Sequence, residues 1–306
     1  MYGVPGKMTE NLSESSESLS QSDSACFDAS QSYGLERRAL NVKVVGRGYL
    51  GTIISRALSG SPPVSLSSET RLEGRNQTVV IASGPSSVSV TEIELEKWRG
   101  HLERWLKTHR KQRTNSKIIY LSSAGTVYGE CGSTEIDENC DLNPANAYGN
   151  YHCWAEDEFR NLYGDQVTIL RLSNLYGPKQ LKKKTQGLVT ACIRAVINND
   201  HLPLYGNDSA IRDYIFEEDL VSIVEKIARN ETGGVYNVAS GISYSIKEII
   251  EMVEDCTNAR IRLSHFPGRS QDIRCVRLSN KKLLSKLCIE SMTSLRDGIK
   301  SYGVMK

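Results

Sequence analysis

The sequence predicts an α/β chain built on a doubly wound parallel sheet, and three observations carry that prediction. A short apolar strand, Leu40-Asn41-Val42-Lys43-Val44-Val45, runs straight into a glycine-rich turn and then a helical pattern. Further apolar strands, Thr78-Val79-Val80-Ile81-Ala82 and Lys117-Ile118-Ile119-Tyr120-Leu121-Ser122, flank the helical stretch Ile93 to Lys111. Strands that alternate with helices in this way pair in parallel and are covered on both faces. At 306 residues the chain can also bury a substantial core without metal or disulfide staples.

The first element is the most specific locally. The turn Gly46-Arg47-Gly48-Tyr49-Leu50-Gly51 precedes Ile53, Ile54, Ala57 and Leu58 at helical spacing, which gives the strand, turn and helix of a Rossmann-type dinucleotide site. Glycines let the backbone approach a pyrophosphate, and the helix N-terminus aims its N–H groups and dipole at that charge. Gly46, Gly48, Tyr49, Leu50 and Gly51 are therefore candidate cofactor-binding residues. A second strand, Pro63-Val64-Ser65-Leu66-Ser67-Ser68, leads to Glu69, eighteen residues after Gly51, where an acid binds the adenosine ribose hydroxyls. Glu69 favours NAD. Arg71, with Ser67 or Ser68, keeps NADP as the alternative because those side chains suit a 2′-phosphate. The strand at 78–82 ends in Ala82, Ser83 and Gly84, small residues past which a dinucleotide can cross the sheet edge.

Composition excludes other classes. A net charge of +2 with interspersed acids and bases argues against a nucleic-acid partner, and the basic runs Arg110 to Arg113 and Lys182 to Lys184 read as solvated surface. The eight cysteines are scattered, with no C-x-x-C pair and no histidine at metal-ligand spacing, which reads as reduced thiols in a cytoplasmic protein and no metal site. No apolar run approaches the roughly 18 residues a membrane span needs. Residues 1–38 are rich in Ser with Glu, Asp and Gln and have no aliphatic periodicity, so they are expected to form a disordered leader.

Beyond the third strand, Ser122-Ser123-Ala124-Gly125-Thr126-Val127-Tyr128-Gly129 breaks into a hydroxyl-rich loop, and Tyr148 opens a helix nineteen residues after Gly129. His152 lies four residues on, so both side chains share one helix face. Loop and helix together resemble the extended short-chain dehydrogenase/reductase family, particularly its nucleotide-sugar epimerases and dehydratases, in which a similar SS-x-x-VYG loop precedes Y-x-x-x-K. The resemblance continues through Arg171-Leu172-Ser173-Asn174-Leu175-Tyr176-Gly177-Pro178, Arg212-Asp213-Tyr214-Ile215-Phe216-Glu217-Glu218-Asp219, Val235-Tyr236-Asn237-Val238-Ala239-Ser240-Gly241 and Arg269-Ser270-Gln271-Asp272. It covers about residues 41 to 303 in order.

That resemblance implies residues 39–180 as an NAD(P)-binding domain and residues 181–306 mainly as a smaller C-terminal α/β substrate lobe, with some strands and helices returning to the first domain. It implies a nucleotide-sugar substrate, with Asn174 contacting the sugar or its phosphate and Arg212 the diphosphate. The implied reaction is hydride transfer at sugar C4 with Tyr148 as acid/base, which is the chemistry of a 4-epimerase. A homodimer through helices near 92–111 and 147–163 is implied on the same ground.

Two residues depart from the family pattern. His152 stands where the family has lysine; a neutral imidazole can donate to a ribose hydroxyl but lacks the charge that lowers a tyrosine pKa from about 10. Glu156, one turn on, is expected to hold His152 protonated and restore part of that field. Ala124 stands where a Ser or Thr meets the reacting hydroxyl; Ser123 and Thr126 flank it, and Thr126 is the favoured substitute. A dehydratase is disfavoured because Gly125 and Thr126 replace the usual acid pair. A ketoreductase remains an alternative, as does a catalytically degenerate protein that only binds a dinucleotide or sugar nucleotide. The linker from Glu69 to Thr78 is also too short for the extra helix and strand of fuller members, so the sheet is expected to be one strand narrower.

Overall fold

The computed structural model describes residues 40–66, 77–85, 88–112, 116–130, 134–182, 187–206, 208–230, 233–268 and 273–304. The expected leader, Glu69, Arg71 and the Arg269 to Asp272 segment lie outside the described residues.

The first half of the chain runs β1 (Val42–Val45), α1 (Tyr49–Leu58), β2 (Thr78–Ile81), α2 (Glu92–Gln112), β3 (Lys117–Ser123), the one-turn α3 (Ala124–Val127), β4 (Glu135–Ile136) and α4 (Ala147–Tyr163). Next come β5 (Val167–Leu172), β6 (Asn174–Tyr176), α5 (Leu188–Asn198), β7 (His201–Tyr205), β8 (Ile211–Phe216) and α6 (Glu217–Arg229). The chain finishes with β9 (Gly234–Val238), β10 (Ser243–Ser245), α7 (Ile246–Thr257), β11 (Arg262–Phe266), β12 (Arg277–Leu278), α8 (Lys281–Leu287) and α9 (Leu295–Lys300).

The main sheet has the order β1-β2-β3-β5-β9, and every pair in it is parallel. Its side chains alternate between two covered faces because the strand period is two. On one face Val44, Val80, Ile119, Leu170 and Val238 pack with Ile53 and Ile54 of α1, Leu220, Ile223 and Ile227 of α6 and Leu283 of α8. On the other, Val45, Val79, Ile118, Tyr120 and Ile169 meet Leu102 and Trp105 of α2 and Tyr151, Ala155 and Phe159 of α4. Each such aliphatic side chain contributes about 1.5–3 kcal/mol on burial, which fixes the strand register against a one-residue slip. This is the doubly wound α/β fold the sequence predicts.

The expected second strand is a correction. Among the described residues, 63–66 make one parallel bridge, Val45 to Val64, closed by Val64 N–H to Val44 O at 2.9 Å and Gly46 N–H to Val64 O at 2.8 Å. Prolines at 62 and 63 remove two backbone donors just before that point, which limits ladder formation. Val64 lies on the opposite side of β1 from β2, so the order of connections reverses there. A ligand crevice forms at such a reversal, outside the carboxyl ends of the strands.

A second, smaller set of elements carries its own core. β8 pairs with β6 in parallel and with β10 antiparallel, while β7 and β11 form a parallel pair. Val189, Ile193 and Val196 of α5, Ile249 and Val253 of α7 and Leu295 and Ile299 of α9 surround Tyr214 and Phe216. α7 begins with a capping box in which Ser245 accepts from Glu248 N–H and the Glu248 carboxylate accepts from Ser245 N–H, so two otherwise unpaired donors are satisfied.

Candidate active site

The carboxyl ends of β1, β2, β3 and β5 and the start of α4 open on a cleft of about 750 Å³. The cleft is large enough for a cofactor or drug-sized ligand. Its wall includes Gly48, Tyr49, Leu50, Ala82, Ser83, Ser123, Thr126, Tyr148, His152, Asn174 and Arg212 from the sequence-derived set. Gly46 and Gly51 sit beneath the wall. A Cβ on Gly46 would collide with the Ala82 carbonyl and one on Gly51 with the Gly46 carbonyl, so these positions hold strand, turn and helix in contact. Gly46 also has φ +128°, a conformation L side chains rarely adopt. No side chain caps α1 at Gly48, which leaves its N-terminus to an outside partner.

Tyr148 is the second residue of α4, whose N-cap Asn146 accepts from Gly149 N–H at 2.8 Å. A Cβ at Gly149 would stand 2.5 Å from the Thr126 carbonyl, so only glycine allows α4 to lie this close to the β3–α3 loop. That approach carries the Tyr148 hydroxyl to the Ser123 side chain, with which it hydrogen-bonds. The expected substitute, Thr126, instead donates to the Ser123 carbonyl at 3.4 Å. Thr126 lies within the α3 turn, where its hydroxyl meets the nearest backbone acceptor before it reaches Tyr148. Burial pushes the Tyr148 hydroxyl up to about 12, against a smaller opposing effect of Ser123.

His152 lies against Tyr148, their rings 4.6 Å apart and edge to face. The expectation that Glu156 keeps it charged is overturned. Burial drops the imidazole to about 4, outweighing the attraction of Glu156, and the ring is 4 % exposed. Its Nδ1 lies 2.8 Å from the Tyr120 hydroxyl, and its Nε2 is buried without a hydrogen-bond partner. Glu156 is occupied elsewhere: it accepts from Ser122 Oγ at 2.6 Å, Arg160 Nη2 at 2.9 Å and Arg171 Nε and Nη2 at 3.0 and 2.7 Å. Arg171 in turn donates to the Tyr128 hydroxyl at 2.8 Å, and Tyr128 donates to Asn237 Oδ1 at 2.8 Å. A carboxylate already accepting from two guanidinium groups has little field left for an imidazole.

Sequence reasoning missed Tyr120. The available signal was a hydroxyl-bearing side chain within an apolar strand, on the same face as Ile118; its partner in α4 is thirty-two residues away and not readable from local pattern. It also missed Leu175, Gln180 and Ile273 in the cleft wall. Asn174 is exposed there and donates from Nδ2 to the Asp213 carbonyl at 2.9 Å. Arg212 donates to the Ile211 carbonyl at 2.8 Å and to the Ile273 carbonyl. Among the described residues no cluster of His, Cys, Asp and Glu could hold a metal ion, and no helix is long and apolar enough to cross a membrane.

A family model described as GDP-mannose 4,6 dehydratase matches residues 101–279, from within α2 to just past β12. The chain belongs to the GDP-mannose 4,6-dehydratase family. The match takes in Tyr148, His152, Asn174 and Arg212, and so the whole α4 side of the cleft. A UDP-glucose 4-epimerase of Mycolicibacterium smegmatis is 28% identical over 187 residues, 60% of this chain and 60% of that protein. A dTDP-4-dehydro-6-deoxyglucose reductase of Escherichia coli is 29% identical over 188 residues, 60% of this chain and 59% of that protein. The chain thus spans about three fifths of the length of the curated relatives it matches. In fold it is similar to a Thermus thermophilus UDP-glucose 4-epimerase solved with NAD, with TM-score 0.73 and 20% identity over 85% of this chain and 97% of the other.

Proposed function

We propose that this member of the GDP-mannose 4,6-dehydratase family is an NAD-dependent nucleotide-sugar epimerase acting at sugar C4, with Tyr148 as the acid/base. The observation that carries the reading is the convergence of Tyr148, Ser123 and His152 with the glycine turn on a single cleft at the sheet reversal.

The residues suit a dinucleotide. Gly46 and Gly51 leave no room for a Cβ, Gly48 opens on the cleft, α1 begins without a side-chain cap, and Ala82 and Ser83 give a low wall beside it. Bound NAD would supply the hydride acceptor and donor. Tyr148 would take the C4 hydroxyl proton and return it, with Ser123 holding the phenol in position. Asn174 would meet the sugar, and Arg212 would meet the diphosphate, for which a guanidinium fork is suited. The later elements around β8, α5 and α7 would form the substrate lobe, and two copies would pair through α2 and α4.

A nucleotide-sugar ketoreductase is the second reading, favoured by a specific observation. With Tyr148 pushed up to about 12 and His152 uncharged, the resting site holds a proton ready for a ketone oxygen, whereas oxidation of an alcohol must first remove it. The experiment is to denature the purified chain, look for released nicotinamide by absorbance and mass spectrometry, and titrate NAD into the native chain. Absence of both bound and titratable cofactor would refute the enzyme reading. Interconversion of UDP-glucose and UDP-galactose supports the epimerase; NADH consumption only with a 4-keto nucleotide sugar supports the reductase. In either case Tyr148→Phe should lower turnover by about 10²–10⁴ while NAD still binds.

A further inference from the structure

His152 is a buried imidazole with one nitrogen bonded and the other bare. Nδ1 faces the Tyr120 hydroxyl at 2.8 Å, and Nε2 has no partner although the ring forms part of the cleft wall. Tyr120 has no exposed surface. A neutral imidazole carries one proton, so its two nitrogens play opposite roles. If Nδ1 held the proton and donated to the phenol oxygen, the phenol proton and the Nε2 lone pair would both be left unpaired in a buried place. If the phenol donates to Nδ1, its proton is satisfied, and what remains is the N–H at Nε2. Each orphaned buried polar group costs about 1–3 kcal/mol, so the second arrangement is preferred.

We propose that Tyr120 is a positioning residue: by donating its hydroxyl to Nδ1 it holds His152 as the tautomer protonated on Nε2 and makes the ring a fixed donor toward a sugar hydroxyl in the cleft. The acceptor chemistry is that of a ribose, and on the NAD reading above it is the ribose attached to nicotinamide. The device replaces a flexible, charged donor with a rigid, neutral one whose direction is set from the sheet. It orients the ligand but adds no positive charge beside Tyr148. Tyr120 lies at the middle of β3, paired with Ile81 and Ile169 on its two sides, so the anchor belongs to a strand held by neighbours on both edges.

The first test needs no ligand. In the ¹⁵N-histidine-labelled full chain, with the His152 signals assigned by their loss in His152→Gln, Nδ1 should have the shift of an unprotonated nitrogen and Nε2 that of a protonated one from about pH 5 to 9, the range in which an ordinary imidazole titrates. Protonated Nδ1, or rapid averaging between tautomers, overturns the proposal. The second test is a double-mutant cycle on NAD⁺ affinity. Tyr120→Phe should weaken binding about tenfold when His152 is present and leave it unchanged in a His152→Ala background. Equal losses in both backgrounds would show that Tyr120 acts through general packing, which also overturns the proposal. Failure of the unaltered chain to bind NAD⁺ refutes the dinucleotide reading, while the tautomer measurement still decides the role of Tyr120.

Discussion

Glu156 of α4 and Arg171 of β5 form an ion pair beneath the cleft, with Arg171 Nη2 2.7 Å from Glu156 Oε2 and side chains 3 % and 0 % exposed. The pair ties the helix that bears Tyr148 and His152 to the central sheet. Its members are further satisfied by Ser122, Arg160 and Tyr128, so neither charge is left bare. Removing one partner should therefore be costly. Arg171→Met or Glu156→Ala is expected to lose about 3–5 kcal/mol of stability in urea unfolding, and the double variant less than the sum of the two. Additive losses would mean that the two charges do not interact.

The kinetic pH profile follows from Tyr148 and His152. Tyr148 is pushed up to about 12 and His152 down to about 4, so alcohol oxidation should accelerate steadily from pH 6 to 10 with no inflection near the ordinary imidazole value. His152→Lys introduces a charge beside the phenol, favours its anion and should move the profile to lower pH, raising turnover near neutrality by about tenfold for each unit moved. An unchanged profile would show that residue 152 is not coupled to Tyr148.

Glu217 should make stability depend on pH. Its carboxyl is fully buried, accepts the Tyr49 hydroxyl and lies 3.1 Å from Lys179 Nζ. Burial is the largest influence and lifts it from 4.5 to about 7; the Lys179 N–H opposes that rise and Glu218 adds to it. The folded state thus binds the proton more tightly than the unfolded state. This contribution is fully present below pH 4.5 and is lost as pH rises toward 7. Glu217→Gln should flatten urea midpoints across that window. The same slope in both proteins would assign the pH dependence to another group.

Local signals were sufficient where chemistry is set by neighbours along the chain. The strand, glycine turn and helix at 42–58 and the apolar runs of β2 and β3 were legible because covering a parallel strand on both faces demands continuous apolar sequence, whereas β5 was not read as a strand. Tyr148 and His152 were placed on one helix face because four residues make just over one turn. The strand expected at 63–68 was not realised among its described residues, since an apolar pattern does not determine whether ladder donors find partners.

Charge states and partners required the tertiary structure. Glu156 and His152 are neighbours on α4, and sequence spacing made the acid the natural counter-ion. Packing of α4 on β3 and β5 delivered Arg171 to Glu156 and Tyr120 to His152 instead. The same packing, made close by Gly149, chose Ser123 over Thr126 as the hydroxyl beside Tyr148. The sequence by itself determined the fold class and the glycine turn that lines the cleft, because these depend on periodicity and on glycine, while Tyr148 was singled out by the family resemblance. Only the tertiary structure decided that burial keeps the histidine neutral and which of its nitrogens meets Tyr120. Those properties depend on desolvation and on hydrogen bonds between side chains distant along the chain.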